Sequence, residues 1–256
     1  MNGSKALRLA AGFWFAVAAA GQAAFAFYVV GFYGRAAAQG AFGRWNDVLV
    51  GGFVPGGLLG NLVLGAHLLL AVTITLGGLV QLIPAIRASV PALHRWNGRT
   101  YMLTALAMSL GGIVMVWSRG TAGGDAMRVG ISLNGVLIVA CAALAWRAAR
   151  AKRFAEHRRW ALRTFILVSG VWFFRVGLMF WILANRGPVG IGDDFDGPFV
   201  RFLAFGCYLV PLATLELYLR PRAGWGTAAL LFALTLAMGV GIAGAALFMW
   251  MPRVLG

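Results

Sequence analysis

Long apolar runs alternate along this chain with short stretches rich in arginine, glycine and proline. A helix needs about 20 mostly apolar residues to cross the hydrocarbon core of a bilayer. Runs near 9–33, 60–83, 97–118, 128–147, 160–184, 200–219 and 225–250 meet that length and predict seven membrane helices. The expected fold is an all-α polytopic transmembrane bundle, one domain over residues 1–256. The first run follows Lys5 and Arg8, and its "AVAAAGQAAFA" imitates the cleavage region of a secretory leader. Its apolar character continues through "FYVVGFY", longer than a usual leader core, so it reads as a membrane helix.

Composition strengthens this reading. With 61% hydrophobic and 11% charged residues, the chain carries more apolar surface than a soluble globule of its length can hide. Its formal charge of +15 lies mostly in the short joints. With the amino terminus inside, Arg87, Arg95, Arg99, Arg147, Arg150, Lys152, Arg153, Arg158, Arg159, Arg163, Arg220 and Arg222 all fall on the cytoplasmic side. The acidic "GDDFDG" loop and the carboxyl terminus fall outside. Cytoplasmic arginine fixes orientation, so the charge is mainly a topology signal. It does not suggest nucleic-acid binding, which would want a soluble basic face. Cys141 and Cys207 each lie within a span without metal-ligand or CxxC spacing and read as small apolar residues. Phosphate loops, dinucleotide fingerprints, HExxH, nucleophile elbows and paired catalytic carboxylates are absent, which argues against hydrolytic and ATP-driven roles.

An internal echo adds organisation. "AIRASVPALHR" at 85–95 aligns without a gap on "AARAKRFAEHR" at 148–158, with His94 facing His157 and Arg95 facing Arg158. After one inserted residue, Trp96, Arg99, Thr100 and Leu103 face Trp160, Arg163, Thr164 and Leu167, and Tyr101 faces Phe165. Each copy ends an inward helix, turns at the cytoplasmic face and starts an outward helix. The expected core is therefore a duplicated hairpin, units about 60–118 and 128–184, related as parallel repeats. Pro84 and Pro91 bracket the first turn.

His67 early in the second span, Gln81 near its end, "HRWNGRTY" and "HRRWALRTF" together resemble a family of uncharacterised bacterial multi-span membrane proteins with an HRxxGRxY signature. The resemblance covers roughly residues 60–185. It implies a fold and a bacterial cytoplasmic (inner) membrane location, and no reaction.

The candidate chemistry centres on the repeated motif. Equivalent places in two hairpins put His94 and His157 at one depth on neighbouring helices, where two imidazoles can face each other and hold a haem iron or, with further ligands, a smaller metal. The plainer alternative is a pair of interfacial histidines bonded to backbone carbonyls and water. Arg95, Arg99, Arg158, Arg159 and Arg163 sit at helix amino termini, where added cations are unfavourable for the helix. Topology explains several of them. A bound anion explains all: lipid phosphate, a solute, or haem propionates gripped by Arg95, Arg99, Arg159 and Arg163. His67 lies towards the outer end of the second span, far from this pair, and reads as a hydrogen-bonded core histidine. Met115 and Met179, at comparable depth, read as packing. Arg175, well inside the fifth span, costs about 2.5 kcal/mol or more at a bilayer centre and must snorkel, pair or face a cavity. Glu216 is expected to pair with Arg220, four residues on.

Three classes of function follow. The leading specific one is membrane electron transfer through a b-type haem between His94 and His157, with quinone or a redox protein as partner. Another is a small transporter for an anionic or lipid-like solute, a class that expects broken helices, which the apolar pattern does not display. A third is a non-catalytic subunit of a membrane complex. All three have membrane lipids as neighbours.

Overall fold

A computed structural model describes residues 2–49 and 51–256. Six helices are long and apolar enough to cross a bilayer: α1 (Gly3–Ala38), α2 (Leu58–Leu82), α4 (Pro91–Ser118), α5 (Gly124–Arg150), α8 (Pro198–Tyr218) and α9 (Trp225–Leu255). A short α3 (Pro84–Ser89) lies between α2 and α4. A further pair, α6 (Phe154–Val168) and α7 (Gly170–Ala184), passes the same test only when joined, and brings the spans to as many as seven. The boundaries follow ordinary chain chemistry. Asn2 accepts a hydrogen bond from the Lys5 amide and caps α1. Pro84, Pro91 and Pro198 stand at first helical positions, where a missing N–H costs nothing.

The helices close a ring. α1 packs on α2 and α9, α2 on α4, α4 on α5, α5 on α6 and α8, and α7 on α8 and α9. Lipid tails are as apolar as leucine, so close packing, more than expulsion of water, joins such helices. Glycine supplies the closeness. A side chain at Gly241 of α9 would collide with the Val176 carbonyl of α7, and one at Gly130 of α5 would meet the Ala204 carbonyl of α8 at 2.5 Å.

Two of the four buried clusters among the described residues bear on the site. Ile74, Tyr101, Ile138, Leu167 and Tyr208 belong to the cluster that joins the two hairpins to α8. The more extensive cluster unites α1, α2, α7 and α9 through Phe25, Tyr28, Leu64, Trp172 and Trp250. The expected hairpin core thus accounts for only part of the interior, because the aromatic side chains of α1 and α9 pack against each other. Both helices loosen there into a turn of π-helix, at Val29–Gly34 and Ala245–Trp250. The Trp250 ring stacks on Tyr28 at 6.3 Å between these turns.

The fifth span is bent by 53° between Val168 and Gly170. The unbroken span expected over 160–184 is corrected here. A Ser-Gly pair marks the bend, the local sequence at which helices most often kink without proline. The Asn134 amide of α5 donates to the Leu167 carbonyl at 3.1 Å, and Gln22 of α1 donates to the Ser169 hydroxyl at 3.0 Å, so polar groups from two neighbours secure the break.

Candidate functional site

The repeated motif lies at the arginine-rich end of the bundle. His157, in the first turn of α6, places Nδ1 3.0 Å from the Ala145 carbonyl of α5. A carbonyl only accepts, so Nδ1 carries the proton, and in the neutral ring it is Nε2 that holds the lone pair. His94, in the first turn of α4, is half-buried, and its buried Nδ1 has no hydrogen-bond partner. Its backbone carbonyl accepts from Gln81 at 2.9 Å, which ties the end of α2 to the start of α4. Among the described residues no hydrogen bond joins the two imidazoles.

The two motif copies share a local geometry. Arg99 lies over the Trp96 ring at 4.7 Å, and Arg163 over the Trp160 ring at 4.6 Å, a cation–π pair three residues apart in each. Their further partners differ. Arg163 grips Glu216 of α8 bidentately, at 2.7 and 2.8 Å. This corrects the expected Glu216–Arg220 pair: the half-buried face of α6 presents a planar fork to Glu216. Arg159 reaches the Leu219 carbonyl at 3.4 Å, while Arg95 and Arg99 are exposed. Among the described residues, no group of three or more His, Cys, Asp or Glu is arranged to hold a metal ion.

A second constellation forms where the broken span faces the interior. A cavity of about 260 Å³ is enclosed by α1, α2, α4 and the α6–α7 pair. Arg175, one turn beyond the break, lines it. Its guanidinium lies over the Phe25 ring at 5.4 Å and donates to the Val171 carbonyl of its own helix at 3.3 Å. None of the four ion pairs among the described residues includes it. His67 lines the same cavity from α2, so the structure brings to one space two residues that the sequence reading treated separately.

Other polar residues around this cavity left no mark in the sequence. The Tyr101 hydroxyl, the Trp172 indole N–H and the Gln22 carbonyl oxygen are buried beside it without partners. A buried polar group left unpaired costs about 1–3 kcal/mol. Several cluster beside this cavity, close to an arginine that lacks a carboxylate partner. Tyr101 stands in the "HRWNGRTY" motif, but nothing there says that its hydroxyl turns inward. The one available signal was "SG" at 169–170, which foretells a break and hence a site where a span is discontinuous.

No curated protein and no solved structure matches the chain. A family model matches residues 64–219, from α2 through α8, and so includes both motif copies, Arg175 and Glu216. With more than half its length matched, the chain belongs to the family described as "Predicted membrane protein (DUF2306)", a multi-span membrane family of unknown function.

Proposed function

We propose that the protein binds a small solute carrying an anionic or acceptor-rich group inside the bundle and passes it across the membrane, with Arg175 as the anchoring cation. The observation that carries this reading is an intramembrane arginine without a carboxylate partner, facing a cavity at a broken span. Charges within spans are expensive and mark solute paths, and discontinuous helices form the binding sites of many transporters. Tyr101, Trp172 and His67 line the same cavity and add polar groups to its otherwise apolar wall. A suitable test is thermal unfolding of purified protein with a panel of carboxylates and phosphates. A ligand at a hundred times its Kd stabilises by about 2.7 kcal/mol, easily read as a shift. Arg175→Gln should lose the shift. If the variant responds like the wild type, the anchor is elsewhere.

A second reading has its own support at the arginine-rich end. His157 presents Nδ1 to a carbonyl, the arrangement that orients an imidazole for metal ligation through Nε2, and His94 stands in the equivalent first turn of the other motif copy. These two residues would hold a b-type haem, and the haem would supply one-electron chemistry. Arg95, Arg99 and Arg159 are the cations for its propionates, since the fork of Arg163 is taken by Glu216. A Soret band in protein from haem-sufficient cells, lost in His94→Ala and His157→Ala, is the expected signature. Colourless, metal-free protein would remove this reading.

A further inference from the structure

The Arg175 cavity has a neighbour on the other side of the broken span. A cleft of about 690 Å³ runs beside the α6–α7 pair, between α8 on one flank and α1 and α9 on the other. Its walls are almost wholly aromatic and aliphatic, with Trp14, Phe173, Phe202 and Met238 among them. The bend opens it. α6 leans on α5 and α8 while α7 leans on α9, and α8 and α9 scarcely touch. Such a cleft faces lipid and not water.

One side chain belongs to both spaces. Phe165, in the last turn of α6, lines the cavity and the cleft alike. It is buried, its ring lies edge-on to Trp14 at 6.3 Å, and Gly78 of α2 leaves room for it, since a side chain there would meet the ring at 3.0 Å. Phe165 is thus where the two spaces meet, on the helix before the bend that leads to Arg175. The cavity itself, at about 260 Å³, lies below the roughly 300–1,000 Å³ that houses a whole drug-sized ligand. It suits a head group, and the apolar space beside it suits a tail.

Resting on the reading of Arg175 as the anchor, we propose that the ligand is a single-chain anionic amphiphile of the fatty-carboxylate type. It enters sideways from the bilayer, with its head against Arg175, its chain in the cleft and Phe165 as the gate between them. The head chemistry follows from the guanidinium, which lacks a carboxylate partner of its own and bonds carboxylate oxygens in a fork. The single chain follows from the contact between the two spaces, which is confined to one side chain. The bilayer is the source because the cleft opens towards it.

The test uses the full-length protein in phosphatidylcholine nanodiscs, with butyrate and with palmitate bearing a photoreactive group at its chain end. Palmitate should bind at least roughly tenfold more tightly than butyrate, since its chain holds it at the membrane. Its chain end should crosslink to cleft residues such as Phe202 and Met238, and Arg175→Gln should abolish this labelling. Phe165→Trp, which thickens the gate, should weaken palmitate roughly tenfold more than it weakens butyrate. Should that variant fail to fold, Phe165→Ala serves instead and should speed palmitate release. Equal affinity for the two acids, or palmitate labelling in the cleft that ignores Arg175, would overturn the lateral route while the anchor stood. Failure of every carboxylate to bind in an Arg175-dependent way would remove both readings.

Discussion

The Arg163–Glu216 pair allows a quantitative test of how the arginine-rich end is held. It joins α6 to α8 across 53 residues of sequence. Two unit charges about 4 Å apart attract by about 4 kcal/mol at an effective dielectric constant near 20. Arg163 is 18% exposed and Glu216 44%, so water screens the carboxylate and part of the attraction is offset by desolvation of the guanidinium. The net value then lies between the roughly 0.2–1 kcal/mol of exposed pairs and the roughly 3–5 kcal/mol lost when a buried pair is broken, at about 1–2 kcal/mol. A double-mutant cycle with Arg163→Gln and Glu216→Gln, read by thermal unfolding in mild detergent, should give a coupling of that size. Each single variant should lower Tm by about 2–8 °C. A parallel cycle with Arg220→Gln and Glu216→Gln should give almost none. If the Arg220 cycle carries the coupling and the Arg163 cycle falls below about 0.3 kcal/mol, the bidentate bond is not what holds these helices.

Other outcomes are equally specific. Cysteine labelling at residue 2 and beyond Arg253 should find the two ends on opposite faces, as an odd number of spans requires; labelling from one face would mean that the bent pair does not cross. Gly241→Ala forces a side chain onto the Val176 carbonyl and should destabilise by about 1–3 kcal/mol, whereas Gly239→Ala, whose nearest neighbour would be 3.9 Å away, should be nearly neutral. Similar melting of these two variants would argue against a tight α7–α9 seat. Arg175→Leu should insert at wild-type levels yet lose ligand binding, and normal binding would make Arg175 a tolerated snorkelling charge.

Most of the bundle was legible because apolar length is what a bilayer selects. The expected span at 60–83 differs from Leu58–Leu82 by only a residue or two. The expected start at 97 missed the first turns of α4, because the polar "LHRWNG" reads as a surface turn, although Pro91 already sets the helix going. Hydropathy is blind to the break at Ser169, since serine and glycine interrupt geometry without interrupting apolar character. The site divides in the same way. His94 and His157 were visible as an echo and Arg175 as a misplaced charge, since each is conspicuous alone. The Arg163–Glu216 bond and the polar groups beside the Arg175 cavity arise from the convergence of distant helices. A sequence argument that can see only four residues ahead chose Arg220.

The helices also differ in reach. α1, with 36 residues, is about 54 Å long at 1.5 Å per residue, and its neighbour α9, with 31, about 46 Å, whereas the 21 residues of α8 reach only about 32 Å. A hydrocarbon core is about 30 Å thick, so α8 can stand nearly upright while α1 and α9 must tilt or project into the head groups. The annulus of lipid around the protein therefore meets two heights, and the step between them falls along the cleft that α8 borders. Bilayers of different thickness would press unequally on its two walls, so the acyl-chain length of the host membrane becomes a variable that sets the width of the cleft.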